Sequence, residues 1–198
     1  LIVCTGIINA YNFMDGINGI TGGYSLIILG ALAYINEEMV SFAEPALIYT
    51  VLCSVVVFCF FNFRRKAKCF AGDVGSVSIA FILLFLIGKL ILKTEDFSWM
   101  ILLAVYGVDS VLTIIHRLML HENIGLPHRK HMYQLMANEL KIPHVVVSLV
   151  YIAVQAIVII GYIYCQNWGY LYLLCAILLL SFIYIWFMRK YFRLHLSV

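Results

Sequence analysis

Charged residues are scarce in this chain, at 12% of 198 positions, whereas hydrophobic residues make up 64%. Soluble domains carry about 25% charged residues and about 45–50% apolar ones. The mean hydropathy of +1.01 therefore argues against an ordinary soluble domain and predicts a protein of the lipid bilayer. The small net charge of +3 is better explained by membrane topology than by a nucleic-acid partner, which we do not expect.

The apolar segments also lack the apolar–polar alternation of membrane barrel strands, which are about 10 residues long. With flanking small, aromatic and basic residues included, they approach the roughly 17–25 residues of a membrane-spanning helix. Six such runs occur, at 20–35, 46–61, 77–92, 100–115, 145–164 and 170–188. We predict an all-α fold, a polytopic transmembrane helical bundle of about six spans plus the end of another at 1–8.

Other signals of additional domains or metal sites are missing. The six cysteines show no close metal-ligand spacing, and most lie in apolar runs, where a free cysteine behaves as a small hydrophobe. No internal repeat, low-complexity tract or signal peptide is recognisable. We therefore predict one integral-membrane domain over residues 1–198, and we expect it to be the C-terminal part of a longer protein because it begins inside an apolar run.

Basic residues concentrate on alternate loops. If the six runs cross in turn, the stretches 9–19, 62–76, 117–144 and 189–198 share one side of the membrane. Only Lys89 and Lys93 of the 13 Lys and Arg residues fall elsewhere, and the opposite loops are acidic. Cytoplasmic loops carry the excess of Lys and Arg, so this side is predicted to be cytoplasmic.

The first polar loop, 9–19, places Asn9, Asn12 and Asp15 three residues apart, near one face of a helical turn. Two Asx-Gly pairs follow and favour turns. Amides suit sugar or base hydroxyls, and a carboxylate suits a cation or a proton. A helix-capping turn at the membrane interface explains the same residues about equally well.

The second polar loop, 68–76, leads directly into an apolar run. Backbone N–H groups beside Gly72 would form an anion site at the helix start, and Lys68 adds positive charge. Asp73 would be an oxygen ligand for a hard cation such as Mg²⁺. The alternative, that Asp73 is only an N-cap, is less favoured, whereas the basic cluster 64–66 is better explained by the positive-inside rule.

The third polar loop contains His128, Arg129 and His131. Zinc would need further ligands that are absent at usable spacing, so a cationic His/Arg group that grips a phosphate is favoured. Asp109 lies inside the fourth apolar run, where an acidic residue suggests function. A structural hydrogen bond from Asp109 to a neighbouring helix is at least as good an explanation.

Together these loops resemble the motifs of the polyprenyl-phosphate N-acetylhexosamine-1-phosphate transferases, a membrane family. Residues 9–23 resemble the family's Asn-x-x-Asn-x-x-Asp-Gly-x-Asp-Gly-Leu motif, and 70–76 resemble its Phe-Met-Gly-Asp-x-Gly-Ser motif. The segment 127–131 lies where the family has its histidine loop. Asn18 replaces the second Asp of the first motif, and the family's Asp-Asp motif would precede Leu1.

The resemblance implies transfer of an N-acetylhexosamine-1-phosphate from a UDP-sugar to undecaprenyl (polyprenyl) phosphate, with release of UMP. This would be the first membrane step of cell-surface polysaccharide synthesis. It implies Mg²⁺, or Mn²⁺ in its place, held by Asp73 and Asp15. The implied catalytic residues are Asp15, Asp73 and His131, and the implied substrate-binding residues are Asn9, Asn12, Gly72, Lys68, His128 and Arg129.

The same resemblance predicts a multi-pass protein of the bacterial inner membrane, with its active-site loops in the cytoplasm and a homodimer as one expected assembly. A transporter or flippase for an anionic lipid or solute is an alternative, although transporter sites lie near mid-membrane and these motifs cluster on one face. Without the Asp-Asp motif, an inactive fragment or interaction module is a second alternative.

Overall fold

The computed structural model describes residues 2–123, 126 and 129–195. Every regular element in this part of the chain is helical, which confirms the all-α prediction. The α-helices, in chain order, are α1 Ile2–Met14, α2 Ile20–Glu38, α3 Pro45–Asn62, α4 Gly72–Thr94, α5 Ala104–Met119, α6 Met132–Asn138, α7 His144–Tyr164 and α8 Gly169–His195.

Five helical segments within the described residues are long and apolar enough to cross a membrane, which confirms the polytopic bundle. They are Pro45–Asn62, Gly72–Thr94, Phe97–Met119, His144–Tyr164 and Gln166–Phe192. The predicted run at 20–35 also forms a helix, α2, but its polar ends keep it outside this set. Helix α2 packs against α1, α3, α4 and α7, so protein surrounds much of it.

The fourth predicted run differs from a single α-helix. It begins with a 3₁₀ helix, Phe97–Leu103, before α5 starts. Gln155 of α7 donates from Nε2 to the Ile101 carbonyl (3.0 Å) and accepts the Val105 N–H at Oε1 (3.1 Å). The buried side-chain amide of Gln155 thus satisfies backbone groups on both sides of the change in helix type, where the regular backbone hydrogen bonding of the α-helix is interrupted.

The segment 117–144, expected as a loop, contains the short helix α6. Tyr133 and Leu135 of α6 are fully buried, and the helix packs against α7 and α8. Burial of these two side chains stabilises a helix that is too short to be stable alone. As a consequence, the end of the third polar loop is fixed against the bundle.

Aromatic rings fill the bundle beneath the polar loops. The Tyr24 and Tyr106 rings stack with centroids 3.7 Å apart, and the Tyr24 hydroxyl donates to Gln155 Oε1 at 2.6 Å. Tyr11 meets both rings edge to face. These contacts join α1, α2, α5 and α7 into a rigid base for the loops above.

Candidate functional site

The first polar loop turns sharply between α1 and α2. Helix α1 ends at Met14, and Gly19 adopts φ +88°, a conformation that a side chain would strain. The Gly19 N–H donates to Asn62 Oδ1 at 2.7 Å, and Asn62 Nδ2 donates to the Cys69 carbonyl at 2.8 Å. Asn62 therefore ties the first loop to the second, and the predicted Asx-Gly turn is confirmed.

Asn18, the position that departs from the family motif, bonds the backbone of the segment that follows α3. Its side-chain Nδ2 donates to the backbone carbonyls of Arg64 (2.9 Å) and Arg65 (3.3 Å). Its backbone carbonyl accepts a hydrogen bond from Ser148 Oγ at 2.8 Å. A carboxylate could accept but not donate at this position. The amide thus fits the local backbone, which presents only acceptors to this side chain.

Asp15 and Asp73 approach each other at the start of α4. Asp15 accepts a hydrogen bond from Thr21 Oγ1 (2.6 Å) and one from the Gly72 backbone N–H. Burial raises the pKa of Asp15, the Thr21 and Gly72 bonds partly oppose this, and the charge of Asp73 raises it further. The first and second predicted motifs are therefore brought together around two carboxylates.

Asp73 lies in the first turn of α4 and is exposed. The N-cap of this helix is Ala71, so the alternative in which Asp73 serves as the N-cap is wrong. Gly72 is also exposed and has φ +59°. An exposed carboxylate beside backbone N–H groups can face a ligand from the aqueous phase.

Asn12 joins α1 to the same helix start. Its Oδ1 accepts a hydrogen bond from Ser76 Oγ at 2.7 Å, and this hydroxyl also lies 3.0 Å from the Gly72 carbonyl. Asn9, one turn earlier, is exposed, as is Lys68 in the second loop. Neither Asn9 nor Lys68 takes part in the bonds that join the loops, so their substrate-binding roles stay predictions.

Arg64, in the basic cluster that precedes the second motif, folds back on α3. Its Nε donates to the Phe60 carbonyl at 2.6 Å, and its guanidinium lies 4.5 Å from the centroid of the Phe60 ring. The Arg64 side chain therefore packs on the end of α3. This agrees with the explanation of the basic cluster 64–66 by the positive-inside rule.

The third loop reaches the first one through aromatic side chains. The Tyr133 hydroxyl donates to the Phe13 carbonyl at 2.8 Å. The His131 ring stacks on Phe13 and Tyr133, with centroid separations of 6.3 and 5.9 Å. The predicted residue His128 lies outside the described residues, and Arg129 is exposed. All three loops thus meet at one end of the bundle.

His131 is held by Asp109 rather than presented to solvent. Its side chain is only 1% exposed, and its Nδ1 lies 3.4 Å from Asp109 Oδ1. Asp109 also accepts hydrogen bonds from the Tyr151 hydroxyl (2.6 Å) and the Met132 N–H (3.1 Å). Asp109 therefore makes the structural hydrogen bond to a neighbouring helix that was one of its two predicted roles. The contact of His131 with substrate stays a prediction.

The donor atoms at the site suit a hard cation. Among residues 2–123, 126 and 129–195, no group of three or more His, Cys, Asp or Glu residues is placed to hold a metal. A structural zinc site uses four protein ligands, whereas Mg²⁺ is usually held by one or two carboxylates together with phosphate oxygens and water. The pair Asp15 and Asp73 fits magnesium in this manner.

Several residues that build the site received no role from sequence. Thr21 and Ser76 lie inside the two recognised motifs, so their place in the motif was the available signal. Asn62 had no such signal, and the place of Tyr133 beside the histidine loop, where many family members carry a further histidine, did not indicate its contact. Each of the two residues bonds a backbone atom more than 40 residues away.

Comparisons with known proteins agree with the arrangement of the motifs. Residues 1–91 match the sequence model of glycosyl transferase family 4. A probable undecaprenyl-phosphate N-acetylglucosaminyl 1-phosphate transferase of Bacillus subtilis (strain 168) is 33% identical over 138 residues, which cover 67% of this chain and 38% of that protein. A phospho-N-acetylmuramoyl-pentapeptide-transferase of Lactobacillus acidophilus is 36% identical over 74 residues, which cover 37% of this chain and 23% of the relative.

An undecaprenyl-phosphate alpha-N-acetylglucosaminyl 1-phosphate transferase of Yersinia pestis is 30% identical over 77 residues, or 37% of this chain and 21% of the relative. In each case the matched part is less than two fifths of the relative's length. The family match covers both carboxylate motifs, which meet at the start of α4. Residues 1–91 are thus similar to glycosyl transferase family 4, and the matched stretch contains the two motifs that carry Asp15 and Asp73.

Proposed function

We propose that the protein transfers an N-acetylhexosamine-1-phosphate from a UDP-sugar to undecaprenyl phosphate or another polyprenyl phosphate, with release of UMP. The observation that carries this proposal is the junction of the first two motifs, where Asn12 Oδ1 accepts a hydrogen bond from Ser76 Oγ at 2.7 Å and Asp15 lies close enough to Asp73 for their charges to interact. The names of the relatives, which describe undecaprenyl-phosphate and muramoyl-pentapeptide transferases, support the same reaction class.

The start of α4 suits a diphosphate. Helix α4 is 23 residues long, and the first N–H groups of a helix together with its dipole favour negative charge. Gly72 is exposed there and has no side chain to keep a phosphate away from the backbone. The reaction needs mainly positioning and charge neutralisation, and these backbone groups would supply part of both.

The carboxylates would hold the metal. Asp15 and Asp73 are the residues that would bind Mg²⁺, or Mn²⁺ in its place, and a bound divalent ion would neutralise negative charge on the diphosphate. Asn12 would orient the nucleotide-sugar from α1, and Arg129 would bind phosphate from the third loop. His131 would fix the position of that loop through Asp109.

The membrane-embedded acceptor fits the architecture. A polyprenyl phosphate keeps its chain in lipid, and five described segments are long and apolar enough to span a membrane. The site lies at the ends of α1 and α3, where the basic cluster 64–66 follows. The positive-inside rule supports placing this end in the cytoplasm of a bacterial inner membrane, where UDP-sugars would be used for cell-surface polysaccharide synthesis.

The test is UMP release by the full-length protein reconstituted with undecaprenyl phosphate and a UDP-N-acetylhexosamine. Asp73→Asn keeps the size of the side chain but removes its charge, and we expect Mg²⁺-dependent release to fall at least 100-fold, about 2.7 kcal/mol in activation free energy. Glu38→Gln, at the exposed opposite end of the bundle, is the matched control and should keep full activity. Unchanged release by Asp73→Asn would refute the metal assignment, and no release by the wild-type protein would refute the reaction.

A further inference from the structure

A groove with a volume of about 430 Å³ lies between α5 and α8, near the ends of both helices that adjoin the third polar loop. Apolar side chains form most of its wall: Leu112, Ile115, Met119, Ile185, Met188 and Phe192. Two lining residues, His116 and Arg189, are basic. The groove is therefore amphipathic, with hydrocarbon walls and a polar end.

The groove is separate from the carboxylate site. None of its lining residues belongs to the loops that hold Asp15 and Asp73. Its wall also includes Tyr184, whose hydroxyl lies 2.9 Å from Thr113 Oγ1. The Thr113 hydroxyl in turn donates to Asp109 Oδ1 at 3.1 Å. An occupant would thus contact Tyr184, which is linked to Asp109 through Thr113, without entering the proposed reaction site.

The groove can be entered from the membrane. Both of its helices belong to segments that are long and apolar enough to span a bilayer. Ile115, Met119 and Ile185 line the groove and are also exposed on the bundle surface, at 45%, 72% and 48%. A hydrocarbon chain can therefore lie against these residues while remaining continuous with the surrounding lipid.

The polar end is cationic. Arg189 is exposed, and Lys130 lies close enough to His116 to interact with it electrostatically. Lys130 also lies 5.8 Å from the centroid of the Phe192 ring, but it is ion-paired with Glu122. Among the side chains that the structure describes, Arg189 is therefore the exposed cation that lines the groove, and the His116 imidazole, which also lines it, can donate a hydrogen bond. Basic pockets between transmembrane helices bind anionic lipid head groups.

We propose that this groove binds one anionic phospholipid, with its phosphate at Arg189 and His116 and an acyl chain along α5 and α8. The apolar walls account for the chain, and the charge at one end accounts for the head group. The proposed reacting lipid must present its phosphate at Asp15 and Asp73, so the groove serves a lipid that is bound but not consumed. That the bound lipid is not consumed rests on the proposed function, whereas its binding in the groove does not.

The test counts lipids bound to the full-length protein by native mass spectrometry. The protein is titrated in detergent micelles with dioleoylphosphatidylglycerol, and with dioleoylphosphatidylcholine, which has the same chains and no net charge. We expect one phosphatidylglycerol per chain with clear preference over phosphatidylcholine. Arg189→Gln should weaken phosphatidylglycerol binding about fivefold, the effect of one basic residue near an anionic lipid surface.

Matched controls separate the groove from general surface charge. Lys190→Gln removes the same charge one residue later, from a side chain that lies over Trp186 and Tyr191, and should leave binding unchanged. Ile185→Trp should fill the groove and reduce binding, whereas Leu178→Trp, at an exposed position outside the groove wall, should not. All four positions are exposed, and circular dichroism of each variant checks that it folds.

Three outcomes would overturn the proposal. The first is equal binding of the two dioleoyl lipids, and the second is an equal effect of Arg189→Gln and Lys190→Gln. The third is displacement of phosphatidylglycerol by a lower concentration of undecaprenyl phosphate in an Arg189-dependent manner, which would assign the groove to the polyprenyl lipid instead. None of these readouts uses UMP release, so failure here is distinguishable from failure of the proposed reaction.

Discussion

Asn18→Asp is the most discriminating single substitution, because it introduces the residue that the family motif carries at this position. Asn18 is 9% exposed, and its Nδ2 donates to the Arg64 and Arg65 carbonyls at 2.9 and 3.3 Å. A carboxylate cannot make either bond, and its oxygens would face two carbonyl oxygens. We therefore expect the substitution to destabilise this chain although it restores the family pattern.

The magnitude follows from the two lost bonds. Each is worth about 1 kcal/mol net, and placing a charge at this buried position beside two part-buried carbonyl oxygens costs about 1–3 kcal/mol more. The longer bond to Arg65 contributes the smaller share. We expect a loss of about 2–4 kcal/mol in the free energy of unfolding at pH 8.

The loss should depend on pH. Burial and the two carbonyls favour the protonated form of the introduced carboxyl, so its folded-state pKa lies above its unfolded-state value. A protonated carboxyl can donate one of the missing bonds. Below the unfolded-state pKa the variant should therefore be closest to wild type, and it should lose stability as pH rises towards the folded-state pKa.

Thermal unfolding in detergent micelles, followed by the fluorescence of the three tryptophans, measures this effect from pH 4 to pH 8. Asn9→Asp makes the same chemical change at an exposed position of α1 and serves as the control. A midpoint for Asn18→Asp that equals that of Asn9→Asp at every pH would refute the stabilising role of the bonds from the Asn18 amide to the Arg64 and Arg65 carbonyls.

Three further substitutions test other contacts. Gly16→Ala would place its Cβ 2.2 Å from the Tyr133 hydroxyl oxygen, so we expect a lower unfolding midpoint, whereas Gly6→Ala, with nothing within 4 Å, should not change it. Asp109→Asn removes the buried charge that faces the His131 imidazole. Because His131 would then lose the partner that fixes the third loop, UMP release should fall about tenfold or more. Lys130 and Arg117 lower the pKa of Glu122, so the stabilisation that their ion pairs provide is lost as pH falls through the folded-state pKa. Glu122→Gln removes this titration, so the rate of limited proteolysis should rise less on the acid side than in the wild-type protein.

The helices and turns were predictable because their signals are local. The length of each apolar run identifies a helix, and the Asn18-Gly19 pair marks the turn that the left-handed Gly19 makes. The meeting of the three loops was also predictable in outline, since alternate crossings of a bundle bring alternate loops to one end. The order of helices in the chain therefore contains much of the information needed to locate the site.

The contacts that complete the site were not predictable, because they depend on packing between distant segments. Tyr133 reaches the Phe13 carbonyl across 120 positions, and helix α6, which carries it, is stabilised by burial rather than by its own sequence. The pairing of Asp109 with His131 likewise depends on how α5 meets the third loop. Sequence placed Asp109 inside a span but could not identify its partner.

The polar residues of this end of the bundle divide into two groups by what they bond. The first group bonds backbone atoms of other segments and comprises Asn18, Asn62 and Tyr133. These hydrogen bonds satisfy backbone N–H and carbonyl groups of the loops, which would cost free energy if they were left unpaired in apolar surroundings. Asp15 and Asp73 instead place two like charges near each other, with Asp15 partly buried. That pair is unfavourable until a cation is present, so substitutions in the first group should change mainly stability, and substitutions in the second should change mainly cation binding and catalysis.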